Sequence, residues 1–193
     1  MQTFRTRSWR AYKPGAPSSG DAPGAYATAT SVRVLGLDPG SRCTGFGIID
    51  FSGGNAVYVA SGAINISGES FPERLQEIFA RVQALMTEFQ PAEVAVERVF
   101  VNKNADSALK LGQARGAALC GAFGGTVRVF EYSAREIKKA VVGSGGAEKT
   151  QVQHMVKALL HVEGRLKADA ADALAVALCH AHGRQLRHLL RIP

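Results

Sequence analysis

The sequence predicts an α/β domain built on a mixed five-stranded sheet with helices on both faces. Three apolar runs follow one another closely, and such short connections make neighbouring strands antiparallel. Two further strand-like runs alternate with amphipathic helical segments, which is typical of parallel crossovers. The expected order is β-β-β-α-β-α-β-α-α-α. In sheets of this kind, functional sites lie beyond the carboxyl ends of strands.

The first two strands lie in residues 31–50, SVRVLGLDPGSRCTGFGIID. The run from Val32 to Leu37 is almost continuously apolar, as in a strand that is buried on both faces. Asp38, Pro39 and Gly40 then form a turn. Asp38 therefore stands where the first strand ends. It is either a simple turn former or a carboxylate placed to bind a cation.

The other elements are predicted from periodicity and from end signals. Ser70 and Glu73 form a capping box before a long amphipathic helix, which Pro91 ends. Four small residues spaced four apart in the second helix would let another helix approach closely, within the fold or across a dimer: Ala108, Gly112, Gly116 and Cys120. The remaining predicted segments are strands at 56–64, 92–100 and 126–132, and helices at 106–123, 134–142, 149–160 and 168–182.

Composition limits the class of protein. The chain has 193 residues, of which 46% are hydrophobic, and a net charge of +7. This suits one globular domain with a substantial core and permits a polyanionic partner. No apolar run approaches the roughly 18 residues that a membrane span needs, so we expect a soluble protein. Three scattered cysteines argue against a disulfide framework and a zinc site and favour a cytoplasmic location.

The ends of the chain are expected to differ from its middle. Residues 1–30 are rich in proline, glycine and serine and show no apolar periodicity, which predicts a disordered extension. A dispensable tail, an organelle transit peptide and an incorrectly assigned start codon all fit this segment. We expect a single folded domain over residues 31–183 and a C-terminal tail over 184–193.

Four carboxylates are candidates for one site. Asp38 and Glu97 each end a strand, so two parallel neighbouring strands would bring them to the same edge of the sheet. Asp169 and Asp172 lie three apart on an otherwise apolar helix and therefore share a face. Oxygen-only ligands suit Mg²⁺ or Mn²⁺. Two such ions about 4 Å apart can support phosphodiester hydrolysis by activating water and stabilising the leaving oxygen.

The chain from Val32 to His182 resembles the RuvC family of Holliday junction resolvases, which have an RNase H-like fold. The resemblance rests on the segments GLDPGSRCTGFGIID, VAVERVF, NKNADSALKLGQARGA, VVGSGGAEKTQVQHMV and DAADALAVALCHAH in this order. It implies an endonuclease that nicks opposed strands of a four-way DNA junction in recombination and repair. It further implies a homodimer, a catalytic tetrad of Asp38, Glu97, Asp169 and Asp172, Mg²⁺ with Mn²⁺ as a substitute, and partnership with the RuvA–RuvB branch-migration complex.

The resemblance also suggests which residues face the DNA. Phe100 matches a family aromatic residue that wedges against bases, although a core aromatic would look the same in the sequence. Lys138 and Lys149 match lysines near the scissile phosphate. Lys103 and Arg98 are further candidates for backbone contacts, as are Lys139 and Arg42.

Two other classes of protein deserve comparison. Residues 143–150, GSGGAEKT, nearly fit a nucleotide-binding P-loop, but Glu148 replaces the glycine that lets backbone N–H groups reach phosphate. The preceding segment also predicts a capped helix, whereas a P-loop follows a strand. An actin-like ATPase would need a second phosphate loop and a longer chain. A non-catalytic junction-binding protein would not need four carboxylates.

Overall fold

The computed structural model describes residues 31–98, 104–124 and 127–190 of the chain. The strands are β1 (Val32–Asp38), β2 (Cys43–Ser52), β3 (Asn55–Asn65), β4 (Glu93–Glu97) and β5 (Arg128–Tyr132). The helices are α1 (Phe71–Phe89), α2 (Ala105–Ala122), α3 (Ala134–Val142), α4 (Lys149–Leu159) and α5 (Ala168–Leu190). The predicted order of elements is confirmed.

The five strands form one mixed sheet in the order β3-β2-β1-β4-β5. The first three strands are an antiparallel meander, while β4 is parallel to both β1 and β5. The sheet therefore has the mixed character that the sequence predicts. Because β1, β4 and β5 run in the same direction, their carboxyl ends share one edge.

Helices cover both faces of the sheet, and side-chain alternation along β1 shows how. Val32 and Val34 pack in the cluster formed with α3, α4 and α5. Leu35 and Leu37 pack in the opposite cluster, with α1 and α2. The central strand thus contributes to two cores, because successive side chains point to opposite faces.

Glycines in β1 and β2 let α5 lie unusually close to the sheet. A Cβ atom on Gly36 would stand 2.1 Å from the Ala173 carbonyl oxygen, and one on Gly45 would stand 2.1 Å from that of Asp169. Neither contact is possible for a residue with a side chain. This close approach fixes the height of α5 above the strands.

Capping defines the helix starts as predicted. Ser70 accepts a hydrogen bond from the Glu73 amide, and the Glu73 carboxylate accepts one from the Ser70 amide. Ser133 and Glu136 make the same pair of bonds at α3. Since α3 precedes the glycine-rich loop at 143–146, the strand that a P-loop requires is absent from this position.

A buried polar network ties the far part of α5 to β4. His180 is fully buried, and its Nε2 lies 2.7 Å from a Glu93 carboxylate oxygen. Because a carboxylate only accepts, Nε2 carries the proton, and Nδ1 accepts a 2.8 Å hydrogen bond from the Tyr132 hydroxyl. Arg184 and Arg128 also pair with Glu93. The histidine is therefore a satisfied core residue.

The network also corrects a predicted boundary. The sequence suggests a separate tail over residues 184–193, yet α5 continues to Leu190 and Arg184 binds a buried carboxylate. The sequence alone suggests that Arg184 is exposed to solvent, because its acidic partner Glu93 lies about ninety residues earlier in the chain. Residues 1–30, predicted to be disordered, lie outside the described part of the chain. In that described part, no helix has the length and apolar character needed to cross a membrane.

We expect Gly36→Ala to destabilise the fold by about 2 to 3 kcal/mol, because the new methyl group would collide with the backbone of α5. Urea unfolding followed by circular dichroism measures this change. Gly146→Ala is the matched control, since no atom lies within 4 Å of its added Cβ. Equal stability of the two variants would contradict the close packing of α5.

Candidate active site

Two carboxylates meet where β1 and β4 end. The strands are parallel and Leu37 pairs with Val96, so Asp38 and Glu97 occupy equivalent positions one residue later. Val94 and Val96 face α1 and α2, and Ala95 faces α5. Alternation therefore places Glu97, like Asp38, on the side of the sheet that α5 covers.

The first turns of α5 bring the other two carboxylates to the same place. Asp38 is paired across the sheet with Gly45, and the backbone of Asp169 lies directly over that glycine. Asp172 lies one helical turn further along and lines an open pocket together with Glu97. The positive end of the helix dipole favours an acidic residue such as Asp169 in the first turn.

The charges of these groups interact strongly. Burial, followed by the negative charges of Glu97 and Asp172, raises the pKa of Asp38 from its ordinary 3.8 to about 7. Burial and Asp172 also raise the pKa of Glu97. Carboxylates whose ionisation is opposed by burial and by neighbouring negative charge favour a site for cations. The structure thus brings Asp38, Glu97, Asp169 and Asp172 near one another at this edge of the sheet.

Two lysines stand among the carboxylates. The Lys149 ammonium group lies 2.6 Å from an Asp172 carboxylate oxygen, and this contact raises the pKa of Lys149. Lys138, on α3, lines the same pocket as Glu97 and opposes the rise in the pKa of that residue.

In the described ranges, no group of three or more Asp, Glu, His or Cys side chains is arranged to hold a metal ion as it stands.

Cys43 is a neighbour of the site that the sequence analysis missed. Its thiol lies 3.4 Å from an Asp169 carboxylate oxygen and donates to it. Burial and this bond raise the pKa of Cys43 to about 11, so the thiol is protonated. Its position in the sequence could have indicated this contact, because Cys43 begins β2 two residues before Gly45, the residue that pairs with Asp38.

The other predicted DNA-facing residues have different surroundings. Arg98 follows β4 and forms an exposed ion pair with Glu136 at 3.1 Å. Arg42 and Lys139 are exposed. Phe100 and Lys103 lie outside the described residues.

The donor set fits divalent cations of the Mg²⁺ type. Asp38, Glu97, Asp169 and Asp172 offer only oxygen atoms, which Mg²⁺ and Mn²⁺ prefer. A bound cation would also relieve the repulsion that, together with burial, raises the pKa of Asp38. Such cations polarise a phosphoryl oxygen and lower the pKa of bound water.

We expect Asp38→Asn to stabilise the metal-free protein at pH 8 by about 2 to 4 kcal/mol and to change little near pH 4. The folded state binds this proton more tightly than the unfolded state. Stability therefore falls as the pH rises from about 4 to about 7, and the amide removes that loss. Urea unfolding in a chelator at several pH values tests this, with Glu88→Gln as an exposed-carboxylate control. Parallel pH profiles for wild type and Asp38→Asn would contradict the interpretation.

Comparison with known proteins gives consistent relatives. The family model described as "Crossover junction endodeoxyribonuclease RuvC" matches residues 34–180. A protein of that name from Methylococcus capsulatus is 57% identical over 153 residues, which covers 79% of this chain and 92% of the relative. Another, from Pseudoalteromonas translucida, is 55% identical over 152 residues, covering 79% of this chain and 87% of the relative.

Solved structures agree with the sequence relatives. The Thermus thermophilus RuvC structure is 35% identical with a TM-score of 0.72, covering 80% of this chain and 96% of that one. The T. thermophilus RuvC in complex with Holliday junction substrate has the same identity and coverage with a TM-score of 0.75. The yeast mitochondrial Holliday junction resolvase Ydc2, at 13% identity and a TM-score of 0.61, shares the fold over 83% of this chain and 84% of its own. The predicted RNase H-like fold is confirmed, and the chain belongs to the RuvC family of crossover junction endodeoxyribonucleases.

Proposed function

We propose that this protein resolves Holliday junctions by nicking two opposed DNA strands. The observation that carries the proposal is the gathering of Asp38, Glu97 and Asp172, with Asp169 beside them, at one edge of the sheet. Hydrolysis would leave 5′-phosphate and 3′-hydroxyl ends, as the family resemblance implies. The protein would act in the cytoplasm, in recombination and DNA repair.

The four carboxylates would hold Mg²⁺, or Mn²⁺ in its place, with two ions in each site. Their oxygen-only donor set and the raised pKa of Asp38 support this assignment. When bound, these ions would stabilise the negative charge on both the attacking and the leaving oxygen. The protein's own part is to fix the carboxylates on rigid elements and to orient the scissile phosphate between them.

Basic and aromatic residues around the site would hold the junction. Lys138 and Lys149 line the pocket with Glu97, so both can reach a phosphate placed there. Their charges would stabilise the negative charge that develops on phosphorus-bound oxygens. Arg98 and Lys103 would contact the backbone of the DNA arms, and Phe100 would wedge against bases at the crossover.

A homodimer would present two such sites to the near two-fold symmetric junction. The outer face of α2 supports this arrangement. Leu109 on α2 is 63% exposed, Phe123 directly after the helix is 61% exposed, and a Cβ on Gly112 or Gly116 would meet no atom within 4 Å. The inner face of α2 packs through Ala114 and neighbouring small residues, which leaves the predicted glycine face available to another subunit. The dimer would work together with the RuvA–RuvB complex.

Activity is tested with a labelled four-way junction and a linear duplex of the same sequence, with and without Mg²⁺. We expect paired nicks in opposed junction strands only when Mg²⁺ is present. Asp38→Asn should slow cleavage more than about 100-fold while junction binding persists, because it removes a proposed ligand. Glu88→Gln is the control. Cleavage of linear duplex at the same rate, or near wild-type activity of Asp38→Asn, would refute the proposal.

Dimerisation is tested by substitution on α2. We expect Gly116→Arg to convert the dimer to a monomer in sedimentation experiments at micromolar concentration, because a long cation cannot be accommodated between closely packed helices. Val57→Arg is the control, since Val57 is 54% exposed on the edge strand β3. A monomeric wild type, or a dimeric Gly116→Arg, would exclude this interface.

A further inference from the structure

The ion pair between Lys149 and Asp172 occupies a place where the proposed function requires a cation. The ammonium nitrogen lies 2.6 Å from an Asp172 carboxylate oxygen, a distance typical of a direct charge-assisted hydrogen bond. The same carboxylate would have to turn toward a divalent ion to ligate it. The ammonium group and a divalent ion cannot both interact fully with the same lone pairs of this carboxylate oxygen.

The position of Lys149 in the fold gives no separate reason for this contact. Lys149 is the first residue of α4, where the helix dipole disfavours a positive charge, and the first turn of α4 contains no acidic residue. Its side chain is 61% exposed, so it contributes little to the core. The attraction of the carboxylates, including Asp38 and Asp169, is what holds it.

The carboxylate side chains do not form a compact ligand set with one another. In the described part of the chain, no three acidic, histidine or cysteine side chains are grouped to hold an ion. Among the four carboxylates, all of which are described, Asp172 forms a direct ion pair with Lys149. Asp172 would therefore have to give up this contact before the same carboxylate oxygen could ligate a cation.

We propose that Lys149 and a divalent cation are alternative counterions of Asp172, so that cation binding releases Lys149 toward the phosphate of the substrate. This inference rests on the proposed metal site. Without the cation, Lys149 partly neutralises the acidic cluster. With the cation bound, the freed ammonium group lies in the pocket lined by Glu97, Lys138 and Asp172, where it can stabilise charge on the scissile phosphate.

The test measures Mn²⁺ binding to the full-length protein without DNA, by electron paramagnetic resonance of free Mn²⁺. We expect Lys149→Gln to bind Mn²⁺ about fivefold more tightly than wild type, because the cation no longer displaces a partner of Asp172. Lys138→Gln is the matched control: it removes the same charge from the same pocket but has no ion pair with Asp172. We expect its affinity to change less than about twofold.

A second background separates direct competition from general electrostatics. In Asp172→Asn, the ion pair is already lost, so adding Lys149→Gln should no longer tighten Mn²⁺ binding. Junction cleavage by Lys149→Gln should be slower than wild type although its cation affinity is higher, a combination that a purely structural role would not produce. Circular dichroism confirms that the variants are folded.

Each outcome has a defined meaning. Unchanged or weaker Mn²⁺ binding by Lys149→Gln, or equal tightening by Lys138→Gln, would overturn the competition while leaving the proposed function intact. Failure of wild type and all variants to bind Mn²⁺ would overturn the metal site and this inference together.

Discussion

The close contact between α5 and the central strands is the constraint on which the rest of the structure depends. Gly36 and Gly45 leave no space between strand and helix, so the backbone of α5 rests directly on the sheet. The height and direction of the helix then determine where its first turns end. Because Asp38 is paired with Gly45, the same contact sets Asp169 beside the end of β1. The packing of Gly36 and Gly45 against α5 thus determines the relative positions of Asp38 and Asp169.

The two parts of α5 solve opposite electrostatic problems. Near its start, burial and the negative charges of neighbouring carboxylates raise the pKa of Asp38, which costs stability at pH values where Asp38 must ionise. Further along, burial opposes ionisation of Glu93, but the hydrogen bond from His180 and the charge of Arg184 outweigh it and lower the pKa of that carboxyl. The hydrogen-bonded network around Glu93 and His180 therefore anchors one end of α5, while the carboxylates near its other end are electrostatically unfavourable. Stability concentrated away from a site allows the site to be unfavourable by itself.

The ends of strands can be predicted from the sequence more readily than the contacts between side chains of different elements. Asp38 was predictable because apolar periodicity and a Pro-Gly turn locate the end of β1, and Asp169 and Asp172 because their spacing gives them one helical face. The contact of Cys43 with Asp169 and the pairing of Lys149 with Asp172 depend on how separate elements approach in space. No local pattern encodes that approach. The continuation of α5 past residue 183 was missed for the same reason, since Arg184 finds its partner on β4.

The lysine among the carboxylates follows from the same balance of charges. Four acidic groups at one sheet edge would repel one another in the absence of a cation. Burial first, and then this repulsion, raises the pKa values of Asp38 and Glu97. A flexible ammonium group can reduce it without being fixed in the core, because its stem is exposed and its partner is only partly buried. Such a pair is weak enough to exchange. The lysine that reduces this repulsion is therefore also suited to leave Asp172 when a divalent cation and a phosphate bind.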